Sequence, residues 1–189
     1  YVLAVGTVEP RKNYPALVAA LAAVRSRLPD VSLRIVGRLD RGRPAVEDAI
    51  RRHRLDGAVF LMGAVDDSAL PGLYREAAVV AVPSLDEGFG FAALEGMAGG
   101  RPVIVSDRGS LPEVVGDAGL VTAPEPEPLA GALLKVRSPD GTVRTVQVKL
   151  AFAEDEDGGR TDDHKLFLVA NGVTERAKFG MRYEWAPMP

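Results

Sequence analysis

The chain has no cysteine, which excludes a disulfide scaffold and any thiolate metal site and suits a reducing compartment. Its two histidines are far apart in sequence, and neither has a ligand set around it: His53 falls on a helical stripe and reads as structural, and His164 lies in an acidic stretch. A net charge of -3 and a pI near 5.5 give no global attraction to nucleic acid or to an anionic membrane, so an anionic ligand must be held by local groups. No apolar run approaches the roughly 20 residues needed to span a bilayer, and no basic-then-apolar leader opens the chain. We therefore expect a cytoplasmic protein without a transmembrane segment and without nucleic-acid partners. Two glycine signatures are also missing: neither G-x-G-x-x-G nor G-x-x-x-x-G-K-[ST] occurs, which argues against a dehydrogenase or an ATPase.

What is present is an alternation of short Val, Ile and Leu runs with helix-period stretches up to about Leu134, the pattern of βαβ units on a parallel sheet. Strands are expected at Val2 to Val5, Leu33 to Val36, Val59 to Met62, Val79 to Val82, Val103 to Val105 and Leu120 to Thr122. These are continuous apolar runs, as in strands covered on both faces, so the expected fold is α/β, doubly wound and mostly parallel. Between the first two strands Tyr14, Leu17, Val18, Leu21, Val24 and Leu28 recur at helical spacing, with Asn13 suited to cap the start and Pro29 closing the end. Further helices are expected through Val46, Ala49, Ile50 and His53, through Leu70, Leu73, Tyr74 and Ala77, and through Leu94, Met97 and Ala98. Ser110 and Glu113 have capping-box spacing at the start of another.

Beyond Leu134 the pattern changes. Ser138-Pro139-Asp140-Gly141 reads as a turn, and Val146, Val148, Leu150 and Phe152 alternate with polar residues. An acidic stretch from Glu154 to Asp163 reads as a loop. Leu166 to Ala170, Asn171-Gly172 and the following residues read as a hairpin with a type I′ turn, its second strand running through Phe179, Tyr183 and Trp185. That aromatic stripe reads as the core of a small sheet. The expected division is a Rossmann-like domain over 1-135 and a small antiparallel β tail over 136-189.

Two loops carry the chemistry. Gly6-Thr7-Val8-Glu9-Pro10-Arg11-Lys12-Asn13 lies where the first strand gives way to a helix, the usual ligand crevice of open α/β sheets. Arg11 and Lys12 there can add to the helix N-terminal field to hold an anion; the alternative reading is two solvated surface charges. The second loop runs Pro83-Ser84-Leu85-Asp86-Glu87-Gly88-Phe89-Gly90-Phe91 and opens a helix through Glu95. Gly88 and Gly90 permit close backbone approach, and Glu87 and Glu95 can accept hydrogen bonds from sugar hydroxyls.

With VGTVEPRKN in the first loop, FLMGAVDDSALPGLYREAAVVAVPS in the middle, EGFGFAALEGMAGGRPVIVSD around an E-x7-E pair and SLPEVVGDAGL after it, the chain resembles the C-terminal, donor-binding domain of family 4 glycosyltransferases of the GT-B group, the mannosyl- and rhamnosyltransferase-like members above all. The resemblance runs from Tyr1 to about Leu134, roughly seven tenths of the 189 residues. It implies retaining transfer of a sugar from a nucleotide diphosphate-sugar, without a cofactor and without a metal, as in polysaccharide biosynthesis. It implies that Arg11 and Lys12 meet the diphosphate, that Glu87 and the backbone at Gly88, Phe89 and Gly90 meet the sugar, and that Glu95 binds the ribose. Gly6, Thr7 and Phe91 complete the implied donor site. Thr7 stands where some members have arginine, which implies a lighter clamp, and Phe91 and Ala92 replace the commoner Leu and Pro. The acceptor, a glycan or lipid-linked glycan, would be held by an N-terminal domain, with work in the cytoplasm or at the inner membrane face. Since the chain opens at Tyr1 directly in a strand, it reads as a piece of such an enzyme. The alternative is a non-catalytic nucleotide-sugar-binding module or truncated fragment; a GT-B epimerase or phosphorylase lacks support from these motifs.

Overall fold

The computed structural model describes residues 1–136 together with the strands Phe167–Ala170 and Val173–Arg176. The chain divides into two compact units, Tyr1–Arg144 and Thr145–Pro189. In the first, six strands form one parallel sheet: β1 Val2–Val5, β2 Leu33–Val36, β3 Val59–Gly63, β4 Val79–Val82, β5 Val103–Ser106 and β6 Leu120–Thr122. Their order across the sheet is β3-β2-β1-β4-β5-β6, the doubly wound Rossmann-like arrangement. The expected strands are all found, two of them one residue longer.

Helices fill the crossovers: α1 Tyr14–Arg25, α2 Arg43–His53, α3 Leu70–Glu76, α4 Phe91–Ala98, α5 Leu111–Val115 and α6 Pro126–Val136. α1 forms because Leu17, Val18, Leu21 and Val24 recur on one buried stripe and Pro15 sits in the first turn, where no backbone N–H is needed. It ends at Arg25, before Pro29, and leaves Leu28 partly buried beneath it. The stripe packs with Val46 and Ile50 of α2, Leu129 and Leu133 of α6, and Val2, Ala4, Val79, Ala81 and Ile104 of the sheet. Successive strand residues point to opposite faces, so Val80 and Val103 belong to the other side, where α4 lies with Gly96 against both.

β4 and β5 are buried throughout, as continuous apolar runs predict. β3 departs from that expectation. Phe60 and Met62 are more than two-fifths exposed, because β3 is an edge strand and half of its surface meets no neighbour.

In the second unit, β7 Phe167–Ala170 pairs antiparallel with β8 Val173–Arg176, and Ala170 stands opposite Val173. This is the two-residue hairpin register expected around Asn171-Gly172. The turn type, the alternating stretch from Val146, the acidic loop and the Phe179, Tyr183 and Trp185 stripe lie outside the described residues.

Candidate functional site

β1 and β4 lie side by side and parallel, with Val2 opposite Val79 and Leu3 opposite Val80, although they are far apart in sequence. The chain leaves β1 toward α1 on one face and leaves β4 toward α4 on the other, so the two connections part and open a crevice at the strands' carboxyl ends. Both loops singled out in the sequence meet there.

In the first loop, Pro10–Lys12 form a single 3-10 turn whose last residues are Arg11 and Lys12. Asn13 follows in the left-handed conformation, with φ 55. The expected side-chain cap of α1 is not made: capping needs an extended backbone at that residue, and this one turns the amide away. Asn13 Nδ2 instead donates to the carbonyls of Pro83 at 3.2 Å and Pro124 at 2.8 Å, tying together the loops after β1, β4 and β6.

Lys12 is buried, at 8% exposure, and its Nζ donates to Glu87 Oε2 at 2.5 Å. Ser84 Oγ donates to the same oxygen at 3.2 Å, and Arg11 Nη1 stands 3.5 Å from it. Arg11 is more exposed; its Nε pairs with Glu9 Oε2 at 3.0 Å and its Nη1 donates to the Asp86 carbonyl at 3.2 Å. The Glu87 backbone is fixed as well, since its carbonyl accepts from Ser110 N at 3.0 Å and Ser110 Oγ at 3.1 Å. Ser110 does not close the expected capping box at α5: its own backbone is already helical, and its hydroxyl is turned to donate to the Glu87 carbonyl. Arg11 and Lys12 are thus neither bare surface charges nor an unpaired anion clamp. Each is already paired with a carboxylate, in a cluster of two cations and two anions.

Glu95 takes a different partner. It sits on α4, where Oε2 accepts a 2.6 Å hydrogen bond from the Tyr74 hydroxyl. Gly90 opens α4 in the left-handed region, φ 84, and a Cβ there would lie 2.8 Å from Leu111 Cδ2, so glycine is required by both conformation and space. Gly88 has open space around it. The rings of Phe89 and Phe91 are in contact at 4.5 Å between centres, tilted by 42°, and Phe91 is 58% exposed. Gly6 and Thr7 lie at the end of β1, and the Gly6 carbonyl accepts from the Tyr14 hydroxyl at 3.2 Å. Among the described residues, no group of three or more His, Cys, Asp or Glu is placed to hold a metal ion.

Ser84, Ser110, Asn13, Tyr14 and Tyr74 support the site, and sequence reasoning missed all five in that role. Tyr14 and Tyr74 were visible only as apolar members of helical stripes.

Burial pushes both of these phenols up, helped by the Glu87 carboxylate at Tyr14 and by the bond to Glu95 at Tyr74. A raised folded-state value means that their contribution is fully present below the unfolded value of 10.0 and is lost as pH rises above it. Stability should therefore fall above about pH 10 by up to about 2.7 kcal/mol per pH unit for the two together. Urea unfolding between pH 9 and 11 checks this, and Tyr14→Phe with Tyr74→Phe should flatten the profile.

A parallel sheet in this order, with charged and glycine-bearing loops meeting at its switch point, defines a Rossmann-like α/β domain. Residues 1–138 match the family model described as glycosyl transferases group 1, and the chain belongs to that family. It is 41% identical over 128 residues to the O-antigen chain mannosyltransferase B of Escherichia coli, covering 66% of this chain and 33% of that protein. It is 38% identical over 138 residues to a phosphatidyl-myo-inositol mannosyltransferase of Mycolicibacterium smegmatis, covering 70% and 34%. The chain thus spans about a third of the length of these relatives. Among solved structures, a sucrose-phosphate synthase from Thermosynechococcus elongatus superposes with a TM-score of 0.68 at 33% identity, over 76% of this chain and 37% of that one. Anabaena HepE in complex with UDP and glucose superposes with a TM-score of 0.66 at 28% identity, over 74% and 39%. Among the described residues, no helix is long and apolar enough to cross a membrane.

Proposed function

We propose that residues 1–136 form the donor-binding part of a retaining glycosyltransferase that moves a sugar from a nucleotide diphosphate-sugar to an acceptor glycan or lipid-linked glycan. The observation that carries this reading is the meeting of Lys12 and Glu87, 2.5 Å apart, where β1 and β4 end side by side. That HepE is solved with UDP and glucose supports a ligand of the same kind.

In the reaction the bond between the anomeric carbon and the departing phosphate oxygen breaks, its electron pair stays on the diphosphate, and the sugar becomes cation-like. The acceptor hydroxyl oxygen bonds to the anomeric carbon from the same face while its proton passes to the departing phosphate oxygen. Lys12 and Arg11 stabilise the growing negative charge, in a site where little reorganisation is needed because hydrogen bonds already hold them. Glu87 faces the sugar and stabilises its positive character while keeping Lys12 aimed. It serves as an orienting group, not a nucleophile, in a front-face reaction. Gly6, Thr7 and the backbone from Gly88 to Phe91 line the donor's path, and Glu95 accepts from the ribose hydroxyls. Because Glu9 and Glu87 offset the two cations, attraction for the donor is short-ranged, and binding needs contact with the loops rather than long-range steering. In this reading the acceptor is held by a second domain, and the reaction takes place in the cytoplasm or at the inner membrane face.

Calorimetric titration of the chain with UDP, GDP and NAD tests this. One nucleoside diphosphate should bind, and Glu95→Ala should weaken it by about tenfold, the loss of a charged hydrogen bond. NAD binding, or a folded chain that binds neither diphosphate, would overturn the reading.

A further inference from the structure

Tyr74 is the eighth residue before Val82, on a helix that precedes β4, whereas Glu95 lies on the helix that follows it. The two side chains therefore bridge elements on either side of one strand. Tyr74 is 3% exposed and Glu95 is exposed, so the hydroxyl is a fixed point and the carboxylate is the mobile partner. An unrestrained glutamate on a helix surface samples several rotamers, and holding one of them costs conformational entropy. Tyr74 is held by burial, and Gly99 lies so close beside it that a methyl group at Gly99 would come within 3.3 Å of Tyr74 Cβ. The 2.6 Å bond takes Oε2, and among the described residues no bond to Oε1 is present.

We propose that Tyr74 is a positioning residue that fixes the rotamer of Glu95, leaving one carboxylate oxygen presented to the vicinal hydroxyls of a nucleotide's ribose. This rests on the assignment of Glu95 to the ribose. Burial holds the phenol protonated through the whole neutral range, so it is a donor throughout that range. Since Glu95 as carboxylate is acceptor-only, the bond has one polarity, and the remaining oxygen must accept from the ligand. A diol can supply those donors; a dideoxyribose cannot. The ribose preference is then set by a buried residue that touches no ligand.

The test is the affinity ratio of a ribonucleoside diphosphate to its 2′,3′-dideoxy analogue, measured by calorimetry on the full chain with UDP and GDP pairs. Tyr74→Phe should lower that ratio about three- to tenfold, part of the value of the charged hydrogen bond from Glu95 to the ribose, lost as the carboxylate becomes free to rotate. It should do so mainly by weakening the ribo form. A merely structural role for Tyr74 would weaken ribo and dideoxy forms alike and leave the ratio unchanged, and that result overturns the proposal. Glu95→Gln, run in parallel, separates the two levels. If Glu95→Gln collapses the ratio and Tyr74→Phe does not, only the positioning role fails. If Glu95→Gln leaves the ratio at the wild-type value, or the folded chain binds neither UDP nor GDP, the ribose assignment fails and the positioning role with it. A thermal melt of Tyr74→Phe within a few degrees of wild type shows that the variant is folded, and Tyr74→Leu, which packs without a hydroxyl, should reproduce the lowered ratio.

Discussion

Lys12→Met is expected to cost about 3 kcal/mol of stability and to weaken nucleoside diphosphate binding by about 10- to 100-fold. The stability loss follows from where the partner is left. The Glu87 side chain is only 12% exposed, and its carboxylate would lose a 2.5 Å charged hydrogen bond without gaining water in its place. Ser84 at 3.2 Å and Arg11 at 3.5 Å remain and keep the loss at the lower end of the range for a stranded buried charge. Glu87→Gln in the same chain removes that charge. The double variant should therefore lose less stability than the sum of the two singles, by about 1–3 kcal/mol of coupling. Binding should not recover with it, because the cation proposed to face the phosphate is still missing. Urea unfolding of the four proteins together with calorimetry checks both halves. A single-variant loss below about 1 kcal/mol would mean that the pair behaves as an exposed surface contact, and the reading of a preorganised clamp would fall.

The cycle also bears on what the sequence could reveal. Arg11, Lys12 and Glu87 were legible as candidates because residue type and position after a strand carry chemistry that can be read locally. Their mutual pairing was not, since it depends on β1 and β4 being neighbours, a fact of strand order and not of spacing. The strands themselves were legible because a parallel sheet covered on both faces needs continuous apolar runs, and those runs are nearly unbroken in β4 and β5. α6 was missed for the opposite reason. The expected helices include none between β6 and Leu134, where Pro124, Pro126 and Pro128 crowd the start, yet Pro126 and Pro128 fall in the helix's first turn, where the missing N–H groups have no partner to lose. Leu129 and Leu133, one turn apart and both buried against the α1 layer, were the available signal. The two caps at Asn13 and Ser110 failed in a shared way. Each has the right residue at the right spacing, but its backbone is left-handed at Asn13 and helical at Ser110 instead of extended, and the side chain is turned to donate to a long-range carbonyl, of Pro83 and Pro124 in one case and of Glu87 in the other. In both cases that contact fixes a site loop, so local pattern reading gave way where the site is built.

Gly37→Ala should be the most damaging conservative change in the sheet, with a loss of about 3–5 kcal/mol. Gly37 follows β2 with φ 144, a conformation that side chains rarely adopt, and a Cβ there would lie 2.3 Å from the Gly6 carbonyl oxygen and 2.5 Å from the carbonyl carbon. Neither atom can swing aside as a side-chain tip could, because Gly6 is held by its own N–H to the Val36 carbonyl at 2.8 Å and by the Tyr14 hydroxyl on its oxygen at 3.2 Å. Relief requires the β1 loop to move, and that loop carries Lys12, so binding should fall along with stability. Gly57→Ala is the control. Its φ of 78 imposes the left-handed penalty, but a Cβ there meets nothing within 4 Å, so about 1–2 kcal/mol is expected and no change in binding. With roughly 2–4 °C of melting temperature per kcal/mol for a domain of this size, the two variants should separate by several degrees in a thermal melt. Equal losses would mean that backbone conformation alone decides at Gly37. The close approach of β2's end to the Gly6 carbonyl would then lose its role in setting the loop that presents Lys12 to Glu87.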